Sequence, residues 1–182
     1  MTIVEKKLVT LNIFVYFFIS IFSYSHVDLD LTISQIPIIL KFVESMQILG
    51  YYNRPLSSLI YTLLMLAAFS IFIYSLYLIR KQKLSLKYVF GTSILNFIIL
   101  IPSYPFLSSD IFNYIFDARI IIHHHLNPYS YRALDFPNDD WIRFMRWTHR
   151  YSPYGPLWLG FSTIPYLLGF GKFALTLLSF KV

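Results

Sequence analysis

Cysteine is absent from the 182 residues, which excludes disulfides and thiolate metal sites and leaves the redox compartment unreadable. Charge is scarce at 13%, against 57% hydrophobic and 20% aromatic residues, so there is too little polar surface to clothe a soluble globule. Glycine is scarce too, at six residues, and helix packing through GxxxG-type small faces is not the organising principle. Bulky Phe, Tyr and Ile side chains must fill the contacts instead. What remains in quantity is apolar length, with a mean hydropathy of +0.58, a composition that belongs in a lipid bilayer.

The net charge of +6 is distributed as a topology signal, and nucleic acid is not implied as a partner. Lys6 and Lys7 outweigh Glu5, Arg80, Lys81, Lys83 and Lys87 crowd one short loop, and Lys172 and Lys181 lie near the C-terminus. Between these clusters, residues 26–54 carry Asp28, Asp30 and Glu44 against Lys41 and Arg54, and residues 105–155 balance five acids with five arginines. By the positive-inside rule the 80–87 loop and the N-terminus are cytoplasmic, and residues 26–54 and 105–152 are outer loops.

The expected fold is all-α: a polytopic membrane helix bundle forming one domain over 1–182, with an extracytoplasmic helical loop. Spans are expected at about 8–25, 56–79, 88–107 and 153–169, with a fifth opening at 172–182. The first could be a signal peptide, but its apolar core is long and the SYSH that ends it is a poor cleavage site, which favours an anchor. The third carries Pro102 and Pro105 near its outer end, where lost backbone bonds are tolerable. The fourth takes Ser152 as N-cap and Pro153 in its first turn. Gly169-Phe170-Gly171-Lys172 then reads as a helix stop and a basic turn; a single tilted helix with Lys172 snorkelling is the alternative. A weaker helical pattern at 37–49 lies along the outer interface or packs on neighbouring spans.

The most informative stretch is 108–129, SSDIFNYIFDARIIIHHHLNPY, where two carboxylates and an arginine follow a long apolar run. Carboxylates near hydrocarbon are costly unless they face water or serve a site. Ser108 and Ser109 can cap a helix over about 110–124 that ends before Asn127-Pro128. Helical spacing lines Asp110, Asn113 or Tyr114, and Asp117 along one face, while Arg119 points elsewhere. A structural cap is the competing role for Asp110. As a general base, a carboxylate at such a boundary can take the proton of an acceptor hydroxyl so that its oxygen attacks an activated sugar. The leaving group, commonly a phosphate, would find Arg119, Arg132, Arg143, Arg146 and Arg150 on the same side, unless the loop's five acids tie them up as ion pairs.

His123, His124 and His125 are expected to be structural and not a metal site, because consecutive helical residues point about 100° apart and cannot all face one ion. Trp141, Trp147, Tyr151, Tyr154 and Trp158 crowd the return to the membrane, as an interfacial aromatic belt or as a sugar-stacking platform.

Taken in order, Ser109-Asp110-Ile111-Phe112-Asn113-Tyr114, Ala118-Arg119, Leu126-Asn127-Pro128-Tyr129 and Ser152-Pro153-Tyr154-Gly155-Pro156-Leu157 resemble the GT-C membrane glycosyltransferases, specifically the polyprenyl-phosphate-mannose-dependent alpha-1,6-mannosyltransferases. The likeness covers about residues 88–182. It implies transfer of a hexose, mannose in that family, from a polyprenyl-phosphate donor to a glycan or lipid acceptor on the outer face of the cell membrane, with inversion at the anomeric carbon. The early outer-loop Asp, the candidate base, maps onto Asp110. Asp117, Arg119, Tyr114, Asn127 and Tyr154 become candidate substrate-binding residues, with Arg119 in the position of a donor-phosphate contact and Tyr154 at the pocket mouth. No cofactor is expected beyond the lipid-linked sugar as co-substrate, and a divalent metal is left open. Family members carry more spans, so the chain is expected to be the N-terminal part of such an enzyme, with later helices supplied by further chain or by a second one. The rival from another class is a small non-enzymatic multi-span scaffold or interaction protein; a transporter is weaker, since Lys172 alone could sit at mid-membrane.

Overall fold

The computed structural model describes residues 2–32 and 34–182, and among them there are seven α-helices and no strand. The all-α expectation therefore holds. The chain, expected as one domain, divides into two compact units, Met1–Phe106 and Leu107–Val182.

In the first unit α1 (Ile3–Phe22) is the central helix, packing against both α3 (Arg54–Arg80) and α4 (Leu86–Leu100). Its start is fixed by a capping box: the Thr2 hydroxyl accepts from Glu5 N–H and the Glu5 carboxylate accepts from Thr2 N–H. The second Glu5 oxygen accepts from both the N–H and the hydroxyl of Ser85, at 3.0 and 2.7 Å, and Ser85 in turn caps α4. Glu5, which in the charge count only offsets a lysine, thus ties two helix starts together. Leu8, Leu78 and Tyr88 form the apolar contact beside it. α2 (Pro37–Gln47) opens on Pro37 in its first turn and widens into a π turn over Ile48–Tyr52, where Gly50 lies so close to the Ser25 carbonyl that no Cβ fits.

Among the described residues two stretches are long and apolar enough to cross a membrane, Ile3–His26 and Arg54–Arg80. α4 has 15 residues and α6 (Pro156–Leu168) has 13. At 1.5 Å per residue these rise about 20 Å, short of ~30 Å of hydrocarbon. The expected run to 107 stops at Leu100 because the backbone turns over 101–103, a turn that contains Pro102 and precedes Pro105. α3 leaves a row of large apolar side chains outward, with Leu59, Leu63, Leu66, Phe69 and Ile73 all more than half exposed.

The second unit is built around α5 (Asp110–Ile122), which packs on α6 and on α7 (Phe173–Ser179). Phe112, Ile115, Phe116, Ala118 and Ile120 are almost wholly buried, and the rings of Phe144 and Phe173 stack at 3.6 Å between centroids. α6 begins at Pro156, three residues after the expected Pro153. α6 and α7 are separate helices: Phe170 and Gly171 take left-handed backbone angles, and Lys172 stands at the N-cap of α7. Gly169 permits that turn, since a Cβ there would collide with the Thr176 side chain and lie 2.7 Å from its Cα.

Candidate functional site

Asp110 opens α5, and Ser108 rather than Ser109 tethers it: the Ser108 hydroxyl accepts from Asp110 N–H at 3.2 Å and donates to Asp110 Oδ2 at 3.0 Å. The other carboxylate oxygen accepts from the Tyr154 hydroxyl at 3.3 Å. Tyr114, one turn along the same face, meets Tyr154 and Trp158 edge-on, with centroids 4.7 and 5.0 Å apart. Asp110, Tyr114 and Tyr154 are therefore brought together in a half-exposed cluster, walled by an indole that is 47% exposed.

Tyr154 owes its place to the Asn-Pro-Tyr segment. Asn127 Oδ1 accepts from Tyr129 N–H at 2.9 Å, a turn that Asn favours. The Pro128 carbonyl accepts from Ser152 N–H at 3.0 Å, and the Tyr129 hydroxyl donates to the Tyr154 carbonyl at 2.6 Å. These two long-range bonds hold residues 152–154 as an extended strap. They also explain why α6 starts late: Pro156, with Gly155 as its N-cap, takes the first-turn role that Pro153 would have had. Asn127 itself is exposed and acts on the site through Tyr129.

Asp117, two turns beyond Asp110, faces the same strap and is 8% exposed. It lines a small recess with Asn113, Ser152 and Tyr154, rimmed by Trp147, Arg150 and Tyr151. Burial pushes its carboxyl up from 3.8 to about 6, with the nearby Ser152 side chain opposing the rise. Neither Asp117 Oδ2 nor Ser152 Oγ has a partner in good hydrogen-bond geometry, although both are shut off from solvent. Ser152 was expected only as a helix cap, because nothing local in the sequence places it against Asp117.

The opposite face of α5 carries Arg119, half a turn of the helical wheel away from Asp110. Its Nε lies 2.6 Å from Asp139 Oδ2, its Nη1 donates to the Tyr166 hydroxyl at 3.3 Å, and its guanidinium stacks 4.2 Å from the Trp141 ring. Asp139 also accepts from Trp141 N–H at 2.9 Å and lies 2.9 Å from His124 Nε2. Burial works to raise the Asp139 carboxyl, but the hydrogen bonds from Arg119, Trp141 and His124 outweigh it and hold the group below the ordinary carboxylate range. Arg119 is thus not brought to Asp110. It borders a separate cavity of about 410 Å³ with His123, His124 and the acids Asp135, Asp139 and Asp140.

Of the three histidines, His123 and His124 meet edge-on with centroids 4.9 Å apart, His124 stacks on Phe136, and His125 follows the helix with a positive φ of 55°. Among the described residues no three His, Asp or Glu side chains converge as ligands for a metal ion. Of the aromatic cluster, Trp147 and Tyr151 carry arginines on their faces, Arg150 at 5.5 Å and Arg132 at 5.3 Å.

A family model described as "Alpha-(1->6)-mannopyranosyltransferase, N-terminal domain" matches residues 33–182. No curated protein and no solved structure gives a match.

Proposed function

Since the chain belongs to the alpha-(1->6)-mannopyranosyltransferase family, whose N-terminal domain it carries over residues 33–182, we propose that it supplies the acceptor-activating loop of a membrane mannosyltransferase. This is the family that the four ordered motifs between Ser109 and Leu157 resemble. The family supports a sugar donor and a sugar acceptor as substrates. In the reading proposed, the donor is a polyprenyl-phosphate mannose and the acceptor a glycan or lipid hydroxyl. The protein is multi-pass, with a cytoplasmic N-terminus and α5 outside. The basic 80–87 loop supports that orientation, and the two long apolar helices support membrane insertion.

The observation that carries the reading is the setting of Asp110. It is a half-exposed carboxylate with a hydroxyl on each oxygen and an aromatic wall on one side. Such a group takes the acceptor's O–H proton as the oxygen attacks the anomeric carbon; the bond from that carbon to the phosphate oxygen breaks on the opposite face, and the phosphate departs with the bonding pair. Tyr154 and Ser108 aim the carboxylate, and Tyr114 and Trp158 offer apolar ring faces to a sugar. Arg119 serves better as a positioning residue than as a phosphate contact, because Asp139 neutralises it and fixes it against Trp141. Asp110→Asn in the transfer-competent assembly should lower mannose transfer from the polyprenyl-phosphate donor by about 100-fold or more. An unchanged transfer rate would remove Asp110 from the role of base.

A further inference from the structure

The recess at Asp117 is not used by this mechanism. Asp117 and Ser152 are each 92% buried, and although the Ser152 side chain lies near enough to Asp117 to lower its carboxyl, neither Asp117 Oδ2 nor Ser152 Oγ has a partner in good hydrogen-bond geometry. Leaving one such atom unsatisfied costs about 1–3 kcal/mol, and two in one recess are not a by-product of good packing. The free space that remains is about 20 Å³, enough for one water or one hydroxyl and for nothing larger. Asn113 adds an amide to the same space, and Trp147, Tyr151 and Tyr154 are among the aromatic residues that line it.

Seven residues of helix separate Asp117 from Asp110, a rise of about 10 Å. No single hydroxyl reaches both carboxylates, so the recess cannot hold the group that Asp110 would deprotonate. A hydroxyl elsewhere on a bound sugar fits it: the O–H donates to Asp117 Oδ2, its oxygen accepts from Ser152 Oγ–H, and the ring lies on the aromatic rim.

We propose that Asp117 and Ser152 form a specificity subsite for one ring hydroxyl of a hexopyranose, displaced from the bond-forming centre. The proposal rests on the mannosyltransferase reading for its ligand class and on the two orphaned oxygens for its place. Arg150 is the permanent cation among the residues that line the recess. The burial that raises the Asp117 carboxyl is the same isolation that makes a ligand hydroxyl valuable there.

The test is equilibrium binding to the full chain in detergent micelles, read by fluorescence of Trp147 and its neighbours. The probes are methyl α-mannopyranoside, its monodeoxy analogues, and mannose 1-phosphate. One deoxy position should weaken binding about 10- to 100-fold, as expected for loss of a hydrogen bond to a charged group, while the other positions change little. Ser152→Ala and Asp117→Asn should abolish that discrimination with the circular dichroism unchanged. If the discriminating probe is the glycoside, the subsite serves the acceptor; if it is the phosphate, the donor. Equal binding of all analogues, wild-type discrimination in both variants, or no sugar binding, with a water alone in the recess, would each overturn the proposal. Asp110→Asn separates the two claims: transfer lost with discrimination kept is expected, lost discrimination in the wild-type chain with transfer still dependent on Asp110 refutes the subsite alone, and discrimination kept with transfer intact in Asp110→Asn refutes the base alone.

Discussion

Replacing Asp117 with Asn should stabilise the protein, and only at a pH where the carboxylate is charged. The Asp117 carboxyl rises from 3.8 to about 6 on folding, chiefly through burial. The folded state therefore holds the proton more tightly than the unfolded state does. Stability from this group is fully present below about pH 4, falls as the pH rises through about 6, and stays low above it. The rise corresponds to about 3 kcal/mol against the charged form at neutral pH. Asn is isosteric and uncharged, and its amide can meet the orphaned Ser152 Oγ, so Asp117→Asn should gain about 2–3 kcal/mol at pH 8 and close to nothing at pH 4. The groups lining the same recess are Asn113, Arg150, Tyr151, Ser152 and Tyr154, of which Arg150 alone is a permanent cation. Trp141, Trp147 and Trp158 are the protein's three tryptophans and all lie in the second unit, so their fluorescence on heating reports that unit without contribution from the first. A unit of this size moves ~4–8 °C per kcal/mol, so the expected shift at pH 8 is roughly 8–24 °C. An equal gain at both pH values would mean that repacking, not charge, carries the effect. No gain at pH 8 would mean that Asp117 is solvated or paired.

Two further changes probe the scaffold. Tyr129→Phe removes the bond to the Tyr154 carbonyl and should cost about 1 kcal/mol in the same unfolding assay. Because it frees the strap that carries Tyr154, transfer should fall by more than the loss of stability explains; a proportionate fall would count against the strap as a positioning device. Asp139→Ala leaves the Arg119 guanidinium buried without its counter-charge and should cost about 3–5 kcal/mol. A cost below about 1 kcal/mol would show that water already screens the pair.

The face of α5 was legible in the sequence because it depends on local geometry. The i, i+3, i+7 spacing of Asp110, Asn113 and Asp117 puts them on one line, and Arg119 half a wheel away, whatever else the chain does. The break between α6 and α7 was legible for the same reason, being written in Gly169, Gly171 and Lys172. The start of α6 was not. Ser152-Pro153 satisfies every local rule for a helix start, but Pro128 and Tyr129, more than twenty residues upstream, bind Ser152 and Tyr154 and keep the backbone extended. Likewise nothing near Arg119 marks Asp139, among five acids in the loop, as its partner, and nothing near Asp117 marks Ser152 as its neighbour. Pairings that close long loops leave no periodic trace. They are what turns a legible helix face into a site.

The two faces of α5 differ in how far their polar groups are satisfied. On one face Asp139 collects donors from Arg119, His124 and Trp141 N–H, and Arg119 adds Tyr166 and the Trp141 ring. A network of this kind rigidifies the fold. On the other face Asp110 is held by two hydroxyls and left half-exposed, and Asp117 and Ser152 are buried with oxygens unspent. Had the chain been selected for stability alone, Asn or Leu at 117 would have served better than a carboxylate whose charge costs about 3 kcal/mol. Retention of that cost beside a strap clamped by two long-range bonds is the pattern expected where strain is kept for binding. Arg119, which its position in the motif marked for substrate, is held by Asp139, Tyr166 and the Trp141 ring on the other face.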